Sequence, residues 1–311
     1  MVLKLRRDEE TSNKAEGIIA PIPRGGDRRQ EARADETDWR VNSRYYEFIG
    51  AIFDPLTPMQ TLARAKWITP NHGFRYIVTP NVDHLVRLHQ EPEVYGPLYN
   101  ASWLSVCDSR ILEILANISG IPLKAVPGSD LTGQLFDNVI LPTEPINVIG
   151  ADEEIIANLK DIYGLTHVNH HEPPMGLRRK PEAVAAAAEF IHQNPARYTF
   201  ICVGSPQQEM VAKACLDRGD CIGLGLCVGA SLEFLTGRIK RAPKWMQQYR
   251  LEWLFRLMSE PKRLWKRYLV EGPKIFGLWV KWSFGRKKAL RHKPSSKVSD
   301  EGLGDHAKHL F

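Results

Sequence analysis

Short β-rich runs that alternate with helical stretches constrain this chain more than any other feature. The runs are Tyr46 to Phe53, Arg75 to Thr79, Trp103 to Cys107, Ile146 to Ile149, Thr166 to Asn169, Tyr198 to Val203 and Cys221 to Val228. Helical patterns fill the spaces between them: Thr57 to about Lys66, Val82 to about His89, Arg110 to Ile118, a helix opening at Ser129 or Asp130, Glu153 to Tyr163 and the Ala-rich Pro181 to His192. Two more follow Ser205-Pro206 and Gly229. Apolar runs too short for helices, each feeding a helix, specify a parallel sheet covered on both faces. The predicted fold class is therefore α/β, a Rossmann-like, mostly parallel sheet with a basic amphipathic helical appendage at its C-terminus. Residues 1–43 are polar and aperiodic and read as a disordered leader. The α/β domain is expected over 44–240, the appendage over 241–290 and a disordered tail over 291–311.

Charge separates the appendage from the rest. The chain's net charge is +6, yet residues 238–293 carry seventeen Lys or Arg against three Glu, which leaves the remainder acidic. Five of the eight tryptophans, Trp245, Trp253, Trp265, Trp279 and Trp282, lie in the same segment. Basic and aromatic residues at helical spacing describe helices that lie in a membrane interface and are drawn to anionic lipid. The plainer reading packs the same apolar stripe on the sheet domain or on another subunit of a homo-oligomer. Nucleic acid is disfavoured as a partner, because no recognised nucleic-acid module is present. The first ten residues lack the apolar stretch of a secretory signal, and no eighteen-residue apolar span occurs. A cytoplasmic protein held peripherally at the inner face of the membrane is the expectation. The five cysteines form no CxxC pair or zinc spacing and read as reduced, packed thiols.

In open parallel sheets, ligands bind beyond the carboxyl ends of the strands. The residues standing there are Thr79-Pro80-Asn81, Asp108-Ser109, Gly150, His170-His171-Glu172, Gly204 through Glu209, and Gly229-Ala230-Ser231. Such a rim of small, polar and acidic residues suits a phosphate-bearing nucleotide. Neither GxGxxG nor GxxxxGK[ST] occurs, which disfavours a dinucleotide or P-loop site. Asp108 follows an apolar strand and opens a helix, so it is either a catalytic carboxylate or an N-cap, and Asp130 has the same two readings. Gln208 and Glu209 are either site residues or the polar first turn of a helix. Adjacent histidines on an extended segment point to opposite sides, which argues against a metal at His170 and His171.

The blocks Thr79-Pro80-Asn81, Cys107-Asp108-Ser109, Val126-Pro127-Gly128-Ser129-Asp130-Leu131, Val203 through Glu209, Arg241 through Gln247, Glu252-Trp253-Leu254 and Glu260-Pro261-Lys262-Arg263-Leu264 occur in one order over roughly residues 46 to 280. In this the chain resembles the WecG/TagA/CpsF glycosyltransferases. The resemblance implies an inverting transferase without a metal or other cofactor. It would move a sugar from a UDP-sugar to an undecaprenyl-diphosphate-linked saccharide, with a C-terminal appendage that docks on the membrane and completes the site. It also implies roles: Asp108 as general base, Thr79 and Asn81 beside it, Gln208 near the sugar, and Arg256, Arg263 and Lys266 at the diphosphate. Gly128, Asp130, Gly150, Gly204, Glu209 and Gly229 complete the expected substrate-binding set. Asp108 is followed by Ser109-Arg110 where many relatives have Asp-Gly. That form is more similar to the exopolysaccharide branch of xanthan-type glucosyltransferases, which favours glucose. The alternatives are N-acetylmannosaminyl or N-acetylmannosaminuronyl transfer, or a non-catalytic membrane scaffold of an assembly complex.

Overall fold

The computed structural model describes residues 45–243, 245, 246, 249 and 251–291, and the expected leader, Lys244, Gln247 and most of the expected tail lie outside these. Six strands, β3 (Arg75–Val78), β4 (Leu104–Ser105), β5 (Ile146–Ile149), β6 (Val168–His171), β7 (Tyr198–Ile201) and β8 (Leu224–Cys227), form one sheet. Its order is β4-β3-β8-β7-β5-β6, and every pairing is parallel. Side chains on successive strand residues alternate between the two faces. Tyr76 and Val78 point into one core while Ile77 points into the other, and Cys227 and Leu226 divide in the same way.

The first core lies against α2 (Val82–Gln90), α3 (Pro92–Asn100), α4 (Arg110–Ile118), α7 (Pro181–Gln193) and α8 (Gln207–Arg218). The second lies against α1 (Pro58–Trp67), α5 (Gly128–Asn138), α6 (Glu153–Tyr163) and α9 (Ser231–Leu235). Several helix starts follow from local chemistry. Thr57 accepts from the Gln60 N–H while the Gln60 side chain accepts from the Thr57 N–H, a capping box that fixes the start of α1. Asp152 caps α6 through the Ile155 N–H, and Gly164 in the left-handed region ends it.

Three expectations are corrected. The run from Tyr46 to Phe53 is not one strand but a hairpin, β1 (Tyr46–Phe48) and β2 (Ala51–Phe53), outside the main sheet. Its two-residue turn puts Ile49 at φ 49° and Gly50 at φ 75°, and consecutive positive φ values match the twist of paired antiparallel strands. The strand expected at Thr166 to Asn169 runs instead from Val168 to His171, so both histidines lie on the edge strand. Helix α3 carries Gly96 and Pro97 and gave no helical signal in the sequence. Of the four cysteines read as strand residues, Cys227 alone is in a strand; Cys107, Cys202 and Cys221 flank strands, and all five thiols are free.

Beyond Arg241 the regular structure of the described residues is helical, with α10 (Glu252–Ser259), α11 (Pro261–Trp265), a π-helical turn (Lys266–Glu271) and α12 (Lys274–Arg291). This appendage is seated on the body. Ile275 is 1% exposed within the first core, Trp282 packs edge-on against Phe48 with ring centroids 5.1 Å apart, and Trp282 Nε1 donates to Glu47 at 3.1 Å. Trp279 Nε1 donates to Ser119 Oγ at 2.8 Å. The opposite side leaves Met258, Trp265, Leu269, Phe276 and Phe284 exposed. Some residues of the stripe thus pack on the body, as the plainer reading expects, and others are exposed. No helix among the described residues is long and apolar enough to cross a membrane.

Candidate active site

Asp108 stands just past β4, where its N–H donates to Pro80 O at 2.9 Å and ties the β4 and β3 loops together. It is not the N-cap of α4. Ser109 takes that role, its hydroxyl accepting from the Leu112 N–H at 3.3 Å. The Asp108 carboxylate instead lies near the backbone N–H of Gly128, the first residue of α5, which pulls its pKa down. A carboxylate at a helix N-terminus is stabilised by unpaired N–H groups and by the helix dipole. Burial nevertheless prevails and pushes Asp108 up to about 7, with the Asp130 charge adding to the rise; Gly128, Arg256 and Arg267 pull in the other direction. Such a carboxyl changes protonation state in the neutral range, as a general base requires.

Three loops converge beside it. Thr79, 4% exposed, donates its hydroxyl to Cys227 O at 3.2 Å and so joins the ends of β3 and β8. A Cβ on Gly128 would lie 3.4 Å from Thr79 Oγ1 and 3.6 Å from Ser231 Oγ, which shows how closely these loops approach. Asn81 caps α2, its side-chain oxygen accepting from the N–H groups of Asp83 at 3.1 Å and His84 at 3.4 Å. His84 is held neutral: burial pushes it down to about 3, helped by Arg267 and Arg87. Beside Asp130 a hollow of about 340 Å³ opens between α5 and α9, lined in part by Gln134, Phe234 and Arg241. Arg241 pairs with Asp130 and donates to Ser129 Oγ at 3.1 Å.

The appendage reaches this region through two arginines. Arg256 of α10 lies 5.1 Å from the centroid of the Phe234 ring, and its Nε is buried without a hydrogen-bond partner. Arg267 of the π turn donates from Nη2 to Asn81 Oδ1 at 3.5 Å and brings Nε to 3.6 Å from Asp83 Oδ2. Arg263 and Lys266, expected beside Arg256, are exposed, and Arg263 is engaged by Glu260 at 2.5 and 2.8 Å. Arg267 is therefore the residue that sequence reasoning missed. It lies within the π turn, whose i→i+5 bonding changes which positions face inward.

The other expected residues line or underlie the same rim. Gln208 is 2% exposed and commits both ends of its amide to protein, accepting from the Gly229 N–H at 2.9 Å and donating to Glu209 at 2.8 Å. Glu209 is 1% exposed, and burial raises its pKa. Gly150, at φ 85°, lies where a Cβ would come within 2.7 Å of Val203, so it serves close packing of the β5 and β7 ends. Gly204, at φ 75°, borders open space, whereas Gly229 meets Gln208.

Chemistry at the opposite end of the sheet is of another kind. His192, Asp220 and Cys221 bring ligand atoms within 4.8 Å of one another, but Arg218 already grips the Asp220 carboxylate at 3.0 and 3.1 Å. The edge-strand histidines diverge as expected: His170 Nε2 lies 3.2 Å from Gly150 O, while His171 stacks on Phe190 with centroids 5.2 Å apart.

The site is thus a neutral-range carboxylate at a parallel strand end, next to a helix N-terminus and faced by two guanidinium groups. Compared with known protein families, residues 46–289 match the sequence model described as the glycosyl transferase WecG/TagA/CpsF family. That match spans the sheet, the rim and the seated appendage, and the chain belongs to the WecG/TagA/CpsF glycosyltransferase family, whose enzymes act in surface-polysaccharide biosynthesis.

Proposed function

We propose that this enzyme transfers a sugar, glucose being favoured, from a UDP-sugar to an undecaprenyl-diphosphate-linked saccharide, with inversion at the anomeric carbon. The observation that carries the reading is Asp108, a rim carboxyl raised to about 7 and faced by Arg256 and Arg267. The acceptor hydroxyl gives its proton to the Asp108 carboxylate as its oxygen attacks the anomeric carbon. The bond from that carbon to the UDP oxygen breaks on the opposite face, and the electron pair leaves with UDP. Guanidinium groups at the rim stabilise the charge that develops on the diphosphate. Family resemblance, and no feature of the site, is the ground for expecting no metal requirement.

The outward side of the appendage supports a peripheral position at the inner membrane face. Trp265, Phe276 and Phe284 are half or more exposed beside Lys262, Arg263 and Lys266. Aromatic rings with basic neighbours suit an anionic bilayer interface. The test is a screen of UDP-glucose, UDP-N-acetylmannosamine and their uronic acids against short prenyl-diphosphate monosaccharides. Acceptor-dependent UDP release from one donor is expected. No release from any pair would favour the scaffold reading.

A further inference from the structure

Arg267 stands apart from its nearest basic neighbours in the appendage. Lys262, Arg263 and Lys266 are exposed, whereas Arg267 is half-buried and directed at the N-terminus of α2. There Asp83, 7% exposed, receives two guanidinium groups, Arg87 of its own helix at 2.8 Å and Arg267 at 3.6 Å. The same Arg267 donates to the Asn81 oxygen that caps α2. The backbone around Arg267 is specified as well. Gly272 N–H donates to Arg267 O at 2.8 Å, and a Cβ at Gly272 would come within 3.1 Å of that oxygen. A glycine at the end of the π turn avoids that tight contact. Gln90 of α2 donates to Glu271 at 3.2 Å, and Lys274 pairs with Glu271 at 2.6 Å, which fixes the far side of the turn.

We infer that Arg267 is a positioning residue: anchored on Asp83, it orients the Asn81 side chain and holds a positive charge toward the Asp108 carboxylate while the appendage is seated. The inference rests on the reading of Asp108 as the base and adds a consequence. Seating of the appendage and ionisation of the base are coupled, because the charge arrives with the π turn. The charged groups facing Asp108 are Arg256 from α10, Asp130 from α5 and Arg267, with the Gly128 N–H completing the set. Removing a cation from such a set raises a carboxyl pKa, and because Arg267 is the weakest of the named influences the rise is at most about one unit. Arg267 is not required to touch substrate for this effect.

The test uses the full chain labelled with ¹³C at aspartate carboxyls, the Asp108 signal being assigned by its loss in Asp108→Asn. In Arg267→Ala the Asp108 titration midpoint should rise, by at most about one unit. In Arg267→Lys, which keeps the charge, it should stay near the wild-type value. The pH profile of acceptor-dependent UDP release should follow: the acidic limb moves up in Arg267→Ala, with a loss of up to about tenfold at pH 6 that shrinks at pH 9. Lys262→Ala, on the exposed side of the same segment, should match wild type in both measurements. An unchanged Asp108 midpoint in a folded Arg267→Ala protein would overturn the inference, as would an equal rise in Arg267→Lys. If wild type releases no UDP with any acceptor, the proposed reaction fails, and the carboxyl titration still decides the role of Arg267.

Discussion

The sheet body and the appendage use the same residue types for opposite purposes. In the body the aromatic side chains of Tyr76, Tyr95, Tyr198, Phe48, Phe53 and Phe200 are under 2% exposed and fill the cores. In the appendage Trp265, Phe276 and Phe284 are 51%, 50% and 68% exposed, although Trp279 and Trp282 of the same segment pack on the body. Charge divides in the same manner: Arg256 and Arg267 turn to the rim, while Arg263 and Lys266 face outward. The appendage is thus a two-sided layer. One side packs on the body, through Ile275, Trp279 and Trp282 and through Arg267 at Asn81 and Asp83, and the other is exposed.

The comparison can be broken from either side. The largest effect is expected inside the rim, where Asp108→Asn should lower transfer by about a thousandfold with UDP affinity kept within about threefold. The same variant carries a stability signature of defined sign. A carboxyl raised from 3.8 to about 7 in the folded state favours folding less and less as pH climbs through that window. Asp108→Asn should therefore be more stable than wild type at pH 8, by at most about 4 kcal/mol, and no more stable at pH 3. Thermal melts at the two pH values check this.

Arg256→Ala comes next, with a loss of about a hundredfold in kcat/KM from removal of the guanidinium that overlies Phe234. On the outer side, replacing Trp265, Phe276 and Phe284 together by Ser should weaken binding to anionic vesicles by about tenfold or more. Activity on a soluble acceptor analogue should stay within about twofold, since those side chains point away from the rim. Smallest is Arg263→Ala or Lys266→Ala, expected within about threefold on a soluble acceptor because both are solvated. A loss equal to that of Arg256→Ala would place these two residues on the diphosphate in the working complex, as family resemblance implies.

Much of this architecture was legible because parallel strands and their helices are written in local patterns. The short β-rich runs around 146–149 and 198–201 and the helix start at Thr57 are read directly, and Asp108 is located by its place after an apolar run. The hairpin was not, because Ile49-Gly50 lacks the Asn-Gly or Asp-Gly signal and the run stays apolar through the turn. Helix α3 was hidden by Gly96 and Pro97, residues that tertiary packing of Tyr95 and Tyr99 overrides. The choice of Ser109 over Asp108 as the α4 cap depends on where Gly128 arrives, a contact twenty residues away that spacing cannot encode. Arg267 escaped notice for a related reason. A π turn shifts the helical phase, and a periodicity argument assumes the phase is constant.

The central claim is that Asp108 is the base of a glycosyl transfer, and the pH dependence of acceptor-dependent UDP release tests it most directly. Wild-type kcat/KM should rise with pH through a midpoint near 7 and then level off, while Asp108→Asn stays at least about a hundredfold lower at every pH. Transfer by Asp108→Asn at the wild-type rate, or with the same acidic limb, would contradict the account.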